Sequence, residues 1–171
     1  LDANRDPCFV AGTMHDIGKG VMVNSYPGLF PMILGEMRRQ NWQVPMIVVE
    51  RELAGGLTHA VAGELLIRKW GMEGQLGNAV LSHHKPRADD ALSILVAIAD
   101  LVGQLLYPFP KEAKTPLREA VEEDRLADAN DFLPEGLLSE GPLTLAELQS
   151  LLKALPANVR RLAEEARRSI A

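Results

Sequence analysis

Apolar residues recur at the three- and four-residue spacing of α-helices over most of the chain. The first helix is predicted to run without a break through the apolar positions Val10, Met14, Ile17 and Val21. A second helix is predicted over residues 30–42. Residues 46–53 stay ambiguous, because three consecutive β-branched residues favour a strand, whereas the flanking apolar positions share one helical face. No alternating run is long enough to require a sheet, so the pattern predicts an all-α fold.

Helix signals are equally clear in the middle of the chain. Thr58 is predicted to cap a helix that ends at Gly71, and Lys85-Pro86 is predicted to end the next one. The face of the helix after Thr58 is predicted to carry His59, Ala62, Leu66 and Trp70. Residues 91–107 are apolar almost all round, with Asp100 as their only charge. This segment is therefore predicted to be a buried central helix.

The C-terminal third carries its own start signals. Thr115-Pro116 is predicted to begin a helix that reaches about residue 126, and residues 130–142 resemble a loop. Thr144 and Glu147 form a capping box, which predicts the start of a helix that continues to Leu155. Residues 159–170 are predicted to form a separate, highly charged last helix.

Composition limits the possible functions. The chain of 171 residues suffices for one domain, with a core expected over residues 1–110 and C-terminal helices over residues 111–171 packed on the same domain. A net charge of −5 argues against nucleic-acid or anionic-membrane partners, and no apolar run approaches the roughly 18 residues of a membrane span. The single cysteine, Cys8, excludes an internal disulfide. These features favour a cytoplasmic protein and leave room for a small anionic ligand held through a metal ion.

The residue types that bind transition metals most often in proteins include histidine, and the chain contains few histidines. The four histidines are His15, His59, His83 and His84. His15 precedes Asp16, and as neighbours on a helix their side chains would diverge by about 100° and meet only across a bound ion. Lys19 lies four residues after His15, on the same helical face. Burial of an isolated, charged carboxylate costs on the order of several kcal/mol. Asp100 should therefore be neutral, paired, bound to a metal, or at an exposed edge of its helix.

Each of these residues alone has an ordinary explanation, such as a hydrogen-bonded core histidine or a histidine that complements a helix C-terminus. Together they all fall on the inward face or the end of a predicted helix. We therefore expect the four histidines, Asp16 and Asp100 to converge in one site. Mixed nitrogen and oxygen ligands suit iron, manganese, nickel or zinc.

The segment His15-Asp16-Ile17-Gly18-Lys19 resembles the HD-x-G-K signature of the HD metal-dependent phosphohydrolase superfamily. The later histidines and Asp100 are similar in order to the other metal ligands of that superfamily. Glu50-Arg51-Glu52-Leu53 and Ala97-Ile98-Ala99-Asp100 resemble the HDOD branch. The resemblance implies an HD/HDOD-like helical bundle and, in an enzyme, catalytic roles for Asp16 and Lys19. The metal ligands that it implies are His15, Asp16, His59, His83, His84 and Asp100.

Two departures bear on activity. HD enzymes usually take a further histidine from an upstream helix, and no histidine precedes His15 in this sequence. Lys85-Pro86-Arg87 follows the double histidine, where the cyclic-di-GMP phosphodiesterases of the superfamily carry Gly-Tyr-Pro. The resemblance implies a bacterial regulatory or signal-transduction domain with signalling-protein partners and a metal or ligand site. The alternative is a metal-dependent phosphohydrolase acting on a nucleotide or other phosphoester, and a purely structural domain is the third interpretation.

Overall fold

The computed structural model describes residues 5–107, 115–134, 137 and 143–170, and within these ranges it contains helices and no strand. The α-helices are α1 (Arg5–Met14), α2 (Ile17–Ser25), α3 (Leu29–Arg39), α4 (Met46–Leu53), α5 (His59–Lys69), α6 (Gln75–Ser82), α7 (Ala91–Leu106), α8 (Pro116–Glu122) and α9 (Leu145–Ile170), with a 3-10 helix at Leu126–Phe132. The all-α prediction is confirmed, and the ambiguous segment forms α4. Among the described residues, no helix has both the length and the apolar character needed to cross a membrane.

Two larger apolar clusters of the described residues hold most of the helices together, and a smaller third one joins α1, α6 and α7 through Ala11, Ala79 and Val96. The first joins α2, α3, α4 and α5 through Met22, Ile33, Met37, Val49 and Ala62. The second joins α7, α8, the 3-10 helix and α9 through residues that include Leu101, Leu117, Leu126, Leu148 and Leu152. Helix α7 also contacts α1 and α6, so it occupies the predicted central position. It is not buried all round, however, because Leu95 is 52% exposed.

The packing of α2 on α5 depends on two glycines. A Cβ atom on Gly18 would lie 1.8 Å from the carbonyl oxygen of His59 and 2.5 Å from the amide nitrogen of Gly63. A Cβ atom on Gly63 would in turn lie 3.3 Å from the amide nitrogen of Gly18, and it would also lie 2.8 Å from a methyl group of Val80 in α6. At Gly18 the two helix backbones therefore approach more closely than any side chain would allow. This contact sets where the beginning of α5 lies relative to the beginning of α2.

The first helix differs from its prediction. The apolar spacing through Val21 continues without interruption, yet α1 ends at Met14 and α2 begins at Ile17. His15 and Asp16 form a turn between the two helices. The prediction of one continuous helix was wrong because apolar periodicity reports which residues face the core and does not detect a change of direction between two helices that share that core.

The end of the chain differs in the opposite way. Helix α9 continues through Pro156, so the predicted separation into two helices was wrong. A proline removes one backbone donor, and α9 is held near its start by Leu148 and Leu152, which are 0% and 1% exposed. Trp70, predicted on the inward face of α5, is 49% exposed and follows the helix, whose buried positions include Ala60 and Ile67.

The predicted caps at Thr58, Thr115 and Thr144 are confirmed by hydrogen bonds to the first turns of α5, α8 and α9. Helix α8 ends at Glu122, earlier than predicted. The predicted loop over residues 130–142 begins inside the 3-10 helix, and residues 135, 136 and 138–142 of it lie outside the described residues. The division of the chain near residue 110 stays a prediction.

Candidate metal centre

Four parts of the fold bring the six predicted ligands together. His15 and Asp16 occupy the turn between α1 and α2, and His59 is the first residue of α5. His83 and His84 directly follow α6, and Asp100 lies in the middle of α7. Five of the six are therefore at or next to helix ends, and Asp100 faces them from the central helix. Ends of helices from different parts of the chain can converge on one point without distorting the helices themselves.

The turn at His15-Asp16 changes the geometry expected from a helix. Nε2 of His15 lies 3.5 Å from Oδ2 of Asp16 and 3.6 Å from Oδ1 of Asp100. Adjacent side chains in a continuous helix would point in different directions, whereas the break between α1 and α2 lets both point at the same place. His15, Asp16 and Asp100 thus form one trio of potential ligand atoms, all within 4.8 Å of one another.

His59, His83 and His84 form a second trio. Nε2 of His59 lies 3.0 Å from Nε2 of His84 and 3.3 Å from Nε2 of His83. The same atom lies 3.3 Å from Oδ1 of Asp16, which joins the two trios. His59 and His83 are each only 1% exposed, so these nitrogens are almost completely removed from solvent.

The other ring nitrogen of three histidines is already occupied. Nδ1 of His15 lies 2.7 Å from the carbonyl oxygen of Gly12, and Nδ1 of His83 lies 2.7 Å from that of Val80. Nδ1 of His59 lies 2.6 Å from a carboxylate oxygen of Glu50. Since carbonyl and carboxylate oxygens only accept, Nδ1 of His59 and Nδ1 of His83 each donate a proton, which leaves a lone pair on Nε2 of the neutral ring. The lone pairs of His59 and His83 then point toward one another.

This donor set fits a divalent transition ion. With metal–nitrogen bonds of about 2.0–2.1 Å, adjacent ligand nitrogens are separated by roughly 3.0 Å in octahedral and 3.4 Å in tetrahedral geometry. The separations of 3.0 and 3.3 Å between Nε2 atoms lie within this interval. Buried imidazole nitrogens that face one another without a cation lack hydrogen-bond donors. The residues can therefore hold an ion, and imidazole with carboxylate suits iron, manganese, nickel or zinc.

The pKa values agree with this role. Burial lowers the pKa of His83 to about 4, with His59 adding to the effect. Burial also lowers the pKa of His84 to about 3, helped by His83 and His59. For His15, burial opposes the imidazolium, but the contact with Asp100 and the charge of Asp16 raise its pKa. His83 and His84 are consequently neutral near pH 7, the form in which imidazole binds a metal.

The two carboxylates are held in their charged form. Burial alone would raise the pKa of Asp16, yet Lys19 and His15 hold it below its ordinary value. Burial likewise opposes ionisation of Asp100, and the neighbouring imidazoles, His15 first among them, lower its pKa. Gln104 also donates a hydrogen bond of 3.0 Å to Asp100. The buried-helix carboxylate is therefore paired, as its desolvation cost requires.

Lys19 completes the polar surface of the site. Its Nζ lies 2.6 Å from Oδ2 of Asp16. Lys19, His59, His84 and Asp100 are among the residues that line a cleft of about 510 Å³, a volume typical of small-molecule sites. The lining also includes the charged residues Arg51, Lys85 and Asp131 and several apolar residues, among them Val44, Met46, Phe132, Leu133 and Pro134. The cleft could therefore hold a small ligand that has both an anionic part and an apolar part.

Glu50 and Gly18 are site residues whose roles the sequence analysis did not identify. Glu50 contacts His59 from a fully buried position, and it had a detectable signal, because it shares a helical face with Met46, Val49 and Leu53. Gly18 was named only as part of the segment that resembles the HD-x-G-K signature, whereas it also permits the close approach of α2 to His59. That role depends on a contact between distant parts of the chain, so no local pattern reveals it.

Comparison with known families agrees with the resemblance inferred from the residues. The sequence model described as "HDOD domain" matches residues 1–86, half of the 171-residue chain. No protein with a curated description and no solved structure gives a significant match. The matched region contains every histidine of the site and Asp16, and it ends before Asp100. The chain therefore belongs to the HDOD domain family.

Proposed function

We propose that this HDOD domain is a regulatory module whose helices are joined by a divalent transition ion bound at the histidine cluster. His59, His83 and His84 would be the principal ligands, with Asp16 beside them and His15 and Asp100 completing the site. The observation that carries the proposal is the orientation of the imidazoles. Nδ1 of His59 and Nδ1 of His83 each donate to an oxygen acceptor. Nε2 of His59 lies 3.3 Å from Nε2 of His83 and 3.0 Å from Nε2 of His84.

The position of the site supports regulation. An ion there would link the α1–α2 turn, the start of α5 and the end of α6, with Asp100 adding α7. Helix α7 contacts α9 as well as α1 and α6, so a change in ion occupancy has a physical route to the C-terminal helices. A ligand that binds only the folded state stabilises it according to its concentration and affinity. The output would be read by signalling-protein partners in the cytoplasm, a part of the proposal that rests on the family resemblance.

Metal-dependent stability tests this function. The protein is stripped with a chelator, and zinc, manganese, nickel or ferrous iron is returned while bound metal and melting temperature are measured. An ion at 100 times its Kd adds about 2.7 kcal/mol, which corresponds to a rise of roughly 5–10 °C for a chain of this length. His84→Asn should abolish the rise, whereas Asp89→Asn, at an exposed position paired with Arg87, should keep it. Absence of any saturable shift in the wild-type protein would refute the proposal.

A metal-dependent phosphohydrolase is the second candidate, and the presence of Lys19 in the lining of the cleft favours it. When bound, the ion would lower the pKa of a coordinated water and polarise a phosphoryl oxygen. Lys19 would stabilise negative charge on the phosphoryl group. Asp16 would hold the lysine in a fixed position beside the ion. The apolar walls would accept the organic part of a phosphoester or nucleotide.

Turnover separates the two candidates. Hydrolysis of a chromogenic phosphoester and of cyclic-di-GMP is measured with each ion, in the wild type, Asp16→Ala, Lys19→Met and the exposed control Lys69→Met. The regulatory proposal expects slow or no turnover of cyclic-di-GMP, together with a metal-dependent melting temperature. Rapid turnover that Asp16→Ala and Lys19→Met abolish, and that Lys69→Met retains, would establish the enzyme instead.

A further inference from the structure

Glu50 is a charged residue in an apolar setting. It lies in α4 with 0% exposure, directly after Val49 of the apolar cluster that joins α2 to α5. Placing a carboxylate there costs several kcal/mol in rough terms, unless specific partners compensate. Since an apolar side chain would fill the position at lower cost, the carboxylate calls for an explanation beyond packing.

The contacts of Glu50 are concentrated on one residue. Its Oε2 accepts a hydrogen bond of 2.9 Å from the backbone N–H of His59 and lies 2.6 Å from Nδ1 of the same residue. Its Oε1 is buried and has no hydrogen-bond partner among the described residues. The carboxylate thus fixes both the backbone and the ring of His59 and satisfies only one of its own two oxygens.

We propose that Glu50 is a positioning residue of the metal centre, which holds the His59 ring with Nδ1 protonated and so presents Nε2 to the ion. The proposal rests on the metal-binding function proposed above. A carboxylate that accepts a hydrogen bond from a ligating histidine fixes the ring orientation and strengthens the other nitrogen as a donor. His59 is the residue whose Nε2 lies near His83, His84 and Asp16. Its orientation therefore affects the whole cluster.

A purely structural role as a cap of α5 is the competing explanation. The helix already has a cap, because Thr58 accepts a hydrogen bond from the N–H of Val61. A neutral acceptor would serve the N–H of His59 equally well. Only the contact with the imidazole specifically requires a carboxylate. The negative charge of Glu50 beside Nδ1 makes Nε2 of His59 more basic and therefore a stronger metal ligand.

The test compares Glu50→Gln with Glu52→Gln, an exposed glutamate two residues away on the same helix. Zinc affinity of the full chain is measured by competition with a chromophoric chelator, and the visible spectrum of the cobalt-loaded protein reports the ligand geometry. Glutamine keeps the shape and an oxygen acceptor but removes the charge. We expect Glu50→Gln to weaken zinc binding by about 10- to 100-fold and to alter the cobalt spectrum, while Glu52→Gln matches the wild type.

A second readout does not need a metal. The ¹⁵N shifts of the His59 ring in the metal-free protein report which nitrogen carries the proton, and we expect Nδ1 in the wild type. Unchanged zinc affinity and cobalt spectrum in a folded Glu50→Gln variant would overturn the proposal, even if its melting temperature fell. If Glu50→Gln does not fold, Glu50→Asp, with a carboxylate one methylene shorter, takes its place with the same expectation. If the wild type binds no zinc, the metal function fails, and a proton on Nε2 of His59 would overturn the positioning of the ring as well.

Discussion

Substitution of Gly18 by alanine tests the packing that places His59 at the site. The new Cβ atom would lie 1.8 Å from the carbonyl oxygen of His59, whereas carbon and oxygen normally approach to roughly 3.3 Å. The two helices would have to separate locally by about 1.5 Å. Because the obstructing atoms belong to the backbone, no side-chain rotation relieves the clash. The variant should therefore lose stability and displace His59 from its neighbours.

The magnitude follows from two opposing effects. Overpacking of a tight contact costs about 1–3 kcal/mol, and the backbone clash at Gly18 places this case near 3 kcal/mol. Alanine in place of glycine inside a helix contributes about 1 kcal/mol in favour of folding. The net loss for Gly18→Ala is therefore about 2 kcal/mol. Gly20 lies in the same helix with nothing within 4 Å of its Cβ position, so Gly20→Ala should gain up to about 1 kcal/mol.

Chemical and thermal unfolding of the two variants in the presence of a chelator measures this difference without any contribution from metal. A gap of about 3 kcal/mol corresponds to roughly 6–12 °C in melting temperature for a chain of this length. Zinc affinity measured afterwards should also fall in Gly18→Ala and not in Gly20→Ala. Equal stability of the two variants would refute the close approach of α2 and α5.

Two further predictions concern pH and the capping of α9. The metal-free protein should lose stability as the pH falls from about 6.5 toward 4, because the unfolded chain binds protons at His83 and His84, whose pKa values in the folded state are about 4 and 3. His15 opposes this loss of stability, because its pKa is raised in the folded state, but it binds only one proton. A melting temperature that is flat or higher at pH 5 than at pH 7 would therefore contradict the burial of His83 and His84. Thr144→Ala should cost about 1 kcal/mol, because Thr144 forms a reciprocal capping box with Glu147. Ser150→Ala, which removes only a hydroxyl bonded within the same helix, should be close to neutral in the same denaturation experiment.

The parts of the fold that local chemistry controls were predictable. The helix starts at Thr58, Thr115 and Thr144 follow from side-chain oxygens that accept from the first backbone amides. The central position of α7 follows from its near-continuous apolar composition. The break at His15-Asp16 could not be predicted, because the same apolar spacing continues through it into α2, which packs on α5. That packing depends on Gly18, whose contact lies more than forty residues away.

The candidate site was predictable in its residues and less so in its geometry. The four histidines, Asp16 beside the first of them and the lone aspartate of an apolar helix were expected to converge, and the structure brings these six residues together. Their convergence through a turn, and the support of His59 by Glu50, depend on tertiary structure. The opposite error was made at α9, where two helices were predicted and one is present. Proline disfavours a helix interior, but Pro156 does not end this helix, whose start is capped and buried.

An X-ray anomalous difference map of metal-loaded crystals tests the central claim most directly. Data collected at the absorption edge of the added ion locate that ion independently of any assumption about its ligands. The account predicts a peak roughly 2.0–2.3 Å from Nε2 of His59, His83 and His84, with Nδ1 of His59 still bonded to Glu50. The absence of such a peak at saturating ion concentration, or a peak only at exposed carboxylates elsewhere, would contradict the metal centre.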